Sequence, residues 1–467
     1  MYVQQIYTGC LSEAAYFVED KGEAIIIDPL RDIYEYLKLA KEHNAIIKYI
    51  FETHFHADFV SGHLDLAKQT GATIVYGPGT ETNFPFHLAQ DGETFKIGNL
   101  SLEAIHTPGH TLESTCYLLR DETDKPYCLF TGDTLFVGDV GRPDLSSGNM
   151  TTEELAGIMY DTIQNKLLPL PDDVIVYPAH GAGSSCGKNL GSETSSTIGI
   201  QKKTNYALQP QTKEEFIKAV TEGLTDAPPY FAINAKINRD GYFSLDDIKS
   251  KGLTPITIAQ LKEKINEDVI VLDTRNAAGF KQSFIPGSIF IGLEGRFAEW
   301  AGTLLSFHQR IILITDPGME EETIVRLARV GFDNVEGYLQ GGFETWKNAD
   351  EKIDMIIEVE ADELAMDLPF DDNLSIIDVR KPSEFAEGHV KGATNLNLAD
   401  MTDLALIASL EETQNLYVLC AGGYRSLIAC SILKKQGYHN LRNINGGWAK
   451  IKKEKNIKIE KEASVLN

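Results

Sequence analysis

The sequence predicts an α/β protein of three consecutive domains, and three observations carry that expectation. Residues 1–200 alternate short β-rich runs with helical patterns, the second half repeats itself at a spacing of 105 residues, and 467 residues exceed what one hydrophobic core usually organises.

In the first stretch, EAIIIDP, IKYIFETHFHAD and TIVYG read as strands, and the intervening IYEYLKLAKEH and VSGHLDLAKQTG read as helices. This alternation gives a layered α/β domain, expected over 1–245. Its metal-type residues His54, His110 and Asp133 fall where strands run out, which suits ligands carried on loops by a rigid scaffold. Between 201 and 252 one helix is expected, TKEEFIKAVTEGL; the Pro- and Asn-rich DAPPYFAINAKINRDGY after it reads as the domain's end and a connection.

Beyond it lies the repeat. VIVLDTR, with Asp273 and Arg275, recurs as SIIDVR, with Asp378 and Arg380; FIPGSIFIGL recurs as HVKGATNLNL, RVGFDNV as KQGYHNL, and LQGGFETW as INGGWAKI. Asp378 lies 105 residues after Asp273, and Gly446 lies 105 after Gly341. Two copies of one domain of ordinary size are therefore expected, over 253–350 and 358–458.

With 68 acidic and 43 basic residues the formal charge is -25, which argues for solubility and against a nucleic-acid or anionic-membrane surface. The start, MYVQQIYTGCLSEAAYFVEDK, lacks a basic segment followed by an apolar one, and no apolar run approaches the roughly 20 residues that span a bilayer, so a cytoplasmic protein is expected. Six cysteines without regular spacing make no disulfide framework, so individual thiols matter: Cys10, Cys116, Cys128 and Cys186 early, Cys420 and Cys430 late.

Thr53 to Phe59 read T-H-F-H-A-D-F, which resembles the metal-binding turn of the metallo-β-lactamase fold. Chains that hold two metals there write H-x-H-x-D-H, and the last position here is Phe59, which cannot coordinate. One metal is expected. His54, His110 in TPGHT and Asp133 in TGDTLF provide two imidazoles and one carboxylate, a set that occupies one face of an octahedral ion and leaves positions open for O2 and a substrate sulfur. That arrangement typifies non-haem Fe(II) oxygenases, whereas zinc hydrolases need only a polarised water. His56, Asp58 and His180 in YPAHGAG either steady the ligands by hydrogen bonds or form a weak second metal site. His63, His87, His106, His308 and His439 read as packed or surface residues.

Together THFHAD, TPGHT, TGDTLF, VGRPD and YPAHGAG resemble the persulfide dioxygenases, the iron-dependent branch of the metallo-β-lactamase superfamily. The resemblance implies an αββα sandwich, one Fe(II) per chain on His54, His110 and Asp133, and conversion of a thiol persulfide, O2 and water to the thiol and sulfite. That family's turn commonly ends in His, so Phe59 departs from it too, outside the iron ligands. Arg142 and Asp144 match its G-R-x-D segment: Arg142 either holds a substrate carboxylate or braces the loop by a bidentate pair. Cys186, flanked by Gly and Ser, reads as a loop thiol more exposed than the strand cysteines Cys116 and Cys128, either a sulfur carrier or without catalytic role.

In the last copy NLYVLC is a buried strand, AGGY a loop of small residues, and RSLIACSILKKQG a helix. Cys420 thus sits at a strand end before a helix N-terminus, where loop N–H groups and the helix dipole stabilise negative charge on sulfur; Arg425 adds a formal positive charge. C-A-G-G-Y-R-S, spanning Cys420, Arg425 and Ser426, resembles the active loop of rhodanese sulfurtransferases, which implies α/β domains with parallel sheets. Asp378, Arg380, Glu384, His389 and Gly392 match the upstream pattern, read as mainly structural, and Cys430 as core. The first copy has no cysteine there: Asp316 and Pro317 fall near the nucleophile position and Glu320 to Glu322 follow, so it is expected to be inactive, a spacer or docking surface.

The whole order resembles fused persulfide dioxygenase-sulfurtransferases, which implies thiosulfate formation from sulfite at Cys420 in sulfide detoxification. The expected partners are a small-molecule thiol persulfide, O2 and sulfite, with no nucleic acid and no membrane; a homo-oligomer and a sulfur-donor protein are compatible with this reading. Two other classes compete: a zinc-dependent thioester hydrolase of the glyoxalase II type with an accessory rhodanese module, and a sulfur-carrying or sulfur-sensing binding protein.

Overall fold

A computed structural model describes residues 1–145, 150–224, 226–267 and 269–462. The chain forms two compact units, Met1–Asp247 with Leu327–Phe332, and Ile248–Arg326 with the chain from Asp333 on.

The first unit holds two six-stranded sheets. One runs in the order Tyr2–Thr8, Glu13–Asp20, Glu23–Ile27, Ile46–Phe51, Thr73–Tyr76, His87–Leu88, antiparallel over the first three strands and parallel after. The other runs Ser196–Thr197, Ile175–Pro178, Pro126–Gly132, Thr115–Arg120, Leu100–His106, Thr94–Ile97. Side chains alternate between the faces of a strand, and here both faces are apolar. Tyr16, Val18, Ile25 and Ile27 meet Leu102, Tyr117, Leu119 and Phe130 between the sheets. Ala15, Phe17, Ala24 and Ile26 instead pack on the helices Tyr34–Glu42 and His63–Thr70. Leu118 and Leu129 of the second sheet pack on Ala156 and Met159 of Thr152–Thr162 and Phe216 of Lys213–Thr221. The layers are therefore helix, sheet, sheet, helix, the αββα sandwich expected. One reading needs correction: the presumed connection after 225 contains the helix Phe231–Asp240.

The second unit holds two five-stranded sheets, parallel throughout. The first runs Pro255–Ile256, Val335–Leu339, Ile311–Ile314, Ile270–Asp273, Ile289–Phe290, and the second Ile357–Val359, Leu441–Ile444, Asn415–Leu419, Leu374–Asp378, Thr394–Asn395. Strand for strand the order is the same, as a duplicated domain requires. The central strands are apolar without alternation because helices cover both faces. Among the described residues no helix is long and apolar enough to cross a membrane.

Candidate functional site

Ile46–Phe51, Leu100–His106 and Pro126–Gly132 each end just before a candidate ligand. The structure brings His54, His110 and Asp133 together, with their ligand atoms all within 4.8 Å of one another. Both His54 Nε2, at 3.8 Å, and His110 Nε2, at 3.5 Å, face Asp133 Oδ2. Hydrogen bonds on the far side of each ring set the tautomer. The Thr53 hydroxyl donates to Asp28 Oδ2 at 2.9 Å, so its oxygen accepts from His54 Nδ1–H at 3.0 Å; His110 Nδ1 donates to the Arg142 carbonyl at 2.8 Å. Each Nε2 is left with its lone pair toward Asp133. Burial, reinforced by His56, His110 and His180, holds His54 well below its ordinary pKa, so the imidazole is neutral, as a metal ligand must be. Both Asp133 oxygens are buried without a hydrogen-bond partner. A buried carboxylate without partners is costly unless a cation compensates it, so this donor set fits a metal ion.

Gly141 makes the site possible. A Cβ there would lie 2.0 Å from Asp133 O and 2.9 Å from His110 Nδ1, so only glycine lets the following residue bring its carbonyl to His110.

His56, Asp58 and His180 form a second group within the same limit. His180 Nε2 lies 3.4 Å from Asp133 Oδ1 and 3.6 Å from Asp58 Oδ1; burial would lower its pKa, but these carboxylates outweigh it and raise it. Asp58 is raised, first by burial and then by Asp133. His56 Nε2 sits 3.0 Å from Asp28 Oδ1 and 3.5 Å from Glu52 Oε2, at angles too poor for hydrogen bonds. Phe59, fully buried, stacks on His56 with centroids 4.3 Å apart and 28° between planes. The apolar ring thus supports a histidine where a ligand of a second metal would stand.

Asn238 braces this turn, and sequence reasoning missed it. Its Nδ2 donates to His56 O and Phe59 O, each at 2.8 Å, and its Oδ1 accepts from Ser61 N at 2.8 Å. A pair of buried asparagines one helical turn apart, Asn234 and Asn238, was the available signal.

For Arg142 the structure favours the brace: Nε and Nη2 donate to Asp144 Oδ1 and Oδ2 at 3.0 and 2.7 Å. Cys186 corrects the expectation of a comparatively exposed loop thiol. It is 1% exposed, and its Sγ groups with Asp133 and His180 within 4.8 Å. Burial, then Asp58 and Asp133, push the thiol's pKa up.

At the other candidate site, Cys420 follows Asn415–Leu419 and precedes the helix Tyr424–Lys435. Gly423 N donates to its Sγ at 3.1 Å, and Ser426 Oγ lies 3.5 Å away. A Cβ on Gly447, at φ 49°, would lie 2.2 Å from the Cys420 carbonyl, so the repeated Gly-Gly pair lets the last helix approach the loop. Arg425 is not a free charge: Nη1 and Nη2 donate to Glu384 Oε2 and Oε1 at 2.7 and 2.8 Å, and Glu384 is held below its ordinary pKa by Arg425. Asp378 and Arg380 brace the scaffold as expected, and Cys430 is core. The cavity at Cys420 is lined in part by the cysteine-free copy.

Residues 8–180 match the Metallo-beta-lactamase superfamily, and 257–349 and 360–454 each match the Rhodanese-like domain. The chain is a metallo-β-lactamase superfamily domain followed by two rhodanese-like domains. Among solved structures it is similar to a metallo-β-lactamase from Staphylococcus aureus, with 34% identity and a TM-score of 0.64 over 73% of this chain and 98% of that one. It is also similar to ETHE1 from Myxococcus xanthus, with 28% identity and a TM-score of 0.45 over 51% and 98%. Curated relatives include a probable hydroxyacylglutathione hydrolase of Schizosaccharomyces pombe, 33% identical over 38% of this chain, and a hydroxyacylglutathione hydrolase of Salmonella paratyphi A, 36% identical over 34%. This chain spans 66% and 58% of their lengths.

Proposed function

We propose that the chain is a persulfide dioxygenase coupled to a sulfurtransferase, holding one Fe(II) on His54, His110 and Asp133. The observation that carries this reading is Phe59, whose ring packs on His56 and supplies no ligand to a second metal while the first set stays whole. The overall change is RSSH + O2 + H2O giving RSH, sulfite and two protons; O2 takes the four electrons the outer sulfur loses. Bound Fe(II) supplies the one-electron steps that O2 needs to react with a closed-shell sulfur anion. The chain's own residues do the rest. Thr53 and the Arg142 carbonyl hold the two rings, Phe59 keeps one flank apolar, and Asp58 with His180 offers a carboxylate and an imidazole to receive the released protons.

At the second site Cys420 takes the outer sulfur of a persulfide and passes it to sulfite, giving thiosulfate and regenerating the thiol. Gly423 N–H steadies negative charge on sulfur, with the Ser426 hydroxyl shared between that sulfur and the Gly423 carbonyl.

A zinc-dependent thioester hydrolase is the second reading. It is favoured by the His56, Asp58 and His180 group and by the curated relatives named hydroxyacylglutathione hydrolases. Metal content with O2 uptake on a panel of persulfides separates the two. One iron per chain and persulfide-dependent O2 uptake, both lost in Asp133→Ala, support the dioxygenase; two zincs and cleavage of a glutathione thioester would reject it.

A further inference from the structure

Val60, between the two residues that Asn238 braces, donates its N–H to Arg329 O at 2.7 Å. Arg329 ends the helix Glu320–Arg329 of the cysteine-free copy, and Leu327–Phe332 belongs to the first unit. The last four carbonyls of a helix have no partner within it. Here Leu327 O accepts from Val330 N and Phe332 N, Ala328 O accepts from Gly331 N and, at 2.7 Å, from Arg31 Nη1, and Arg329 O is left to the metal turn.

Arg31 is fully buried, and its Nη2 donates to Phe243 O at 2.9 Å. A guanidinium at a helix C-terminus meets the negative end of the dipole. Next to it in sequence, Asp32 Oδ2 lies 3.8 Å from Arg329 Nη2. Arg31 stands three residues after Asp28, whose carboxylate accepts from Thr53 N at 2.7 Å and from the Thr53 hydroxyl at 2.9 Å. The metal turn and the segment that carries Asp28 therefore rest on one helix end. In the last copy the same motif, KQGY for RVGF, leaves Lys435, Gln436 and Gly437 exposed, whereas Val330 and Gly331 are buried. Gly331 and Gly437 share a left-handed φ, 85° and 97°, so both helices stop alike and differ in what they touch.

We propose that this helix end is a positioning element of the metal site: Arg31 and the Arg329 carbonyl fix the turn that carries His54, so that the cysteine-free copy sets metal affinity at the first site. The inference rests on the reading of His54, His110 and Asp133 as metal ligands.

Co(II) titration of the metal-free full-length protein, followed by the visible absorption of the bound ion, tests this. Arg31→Met, which removes the guanidinium and keeps much of the stem, should weaken binding about tenfold, the lower end of what losing a ligand's outer support costs, and shift the band. Alanine at a left-handed φ strains a helix end without altering any charge. Gly331→Ala should therefore weaken Co(II) binding by a smaller factor, while Gly437→Ala, the same change at the exposed counterpart, should bind as the parent does. This second pair gives a reading should Arg31→Met fail to fold. Parent affinity and an unshifted band in Arg31→Met, or equal affinities in Gly331→Ala and Gly437→Ala, overturn the proposal and leave the metal reading standing. A parent protein that binds no Co(II) overturns the metal reading and this inference with it.

Discussion

In the cysteine-free copy Arg275 grips Asp273 with Nε and Nη2 and donates to Ser283 O; in the last copy Arg380 grips Asp378 the same way and donates to Gly388 O. Each guanidinium also lies over an aromatic ring, Phe343 at 4.0 Å and Trp448 at 4.4 Å. The copies diverge at the loop after the central strand. The 105-residue offset sets Thr315 against Cys420, Asp316-Pro317-Gly318 against Ala421-Gly422-Gly423, and Glu320 against Arg425. A Cβ on Gly342 would lie 3.0 Å from the Thr315 carbonyl, the counterpart of the contact Gly447 makes with Cys420. Both copies therefore share the Asp-Arg brace and the Gly-Gly approach, and both features are present where the cysteine is not. In the first copy, which lacks the cysteine, Glu294, Arg296, Glu299 and Trp300 line the cavity at Cys420.

The strongest challenge to this equivalence is removal of the brace. Asp273→Ala and Asp378→Ala each leave a buried guanidinium without its carboxylate, and each should cost about 3–5 kcal/mol in chemical denaturation. A harmless Asp273→Ala would show that the two scaffolds are not held alike. Next in size, Glu384→Gln breaks a pair that only the last copy has, since its counterpart is Gly279. Because the pair is partly exposed, a loss of about 1 kcal/mol is expected, along with a lower sulfite concentration for half-maximal thiosulfate formation as Arg425 is released. An unchanged sulfite dependence would mean that Arg425 does not face the acceptor.

The smallest effect belongs to the cysteine-free copy alone. Arg310 and Lys264 hold the Glu336 carboxyl down to about 2 from 4.5, and the last copy has Leu441 in its place. A carboxyl lowered on folding stabilises the fold above its unfolded pKa, and that contribution is lost as pH falls from about 4.5 toward about 2. Surface screening keeps it to about 1 kcal/mol or less. Unfolding of Glu336→Gln should vary less with pH across that window than unfolding of the parent; equal slopes would remove the pair from the account.

Local sequence carried much of this. THFHAD, TPGHT and TGDTLF mark candidate ligands because each places its His or Asp within a few residues of a strand's end, and the repeat was visible because the brace and the Gly-Gly pair are short and contiguous. Asn238 was not legible: Asn234 and Asn238 occupy the buried face of their helix, so the apolar period that marks a helix is missing. Cys186 read as more exposed than the strand cysteines because Gly and Ser surround it, yet it is buried and its Sγ lies near Asp133, which stands 53 residues earlier. Arg425 read only as an added positive charge, because its partner Glu384 stands 41 residues earlier. The wall at Glu299 and Trp300 arises from packing of one copy on the other, which no motif encodes.

The central claim, two sites in series with the cysteine confined to the second, is tested most directly by product analysis of Cys420→Ser with a persulfide and O2. The account predicts O2 uptake at the parent rate with sulfite accumulating in place of thiosulfate. Loss of O2 uptake with the thiol, or thiosulfate formed as before, would contradict it.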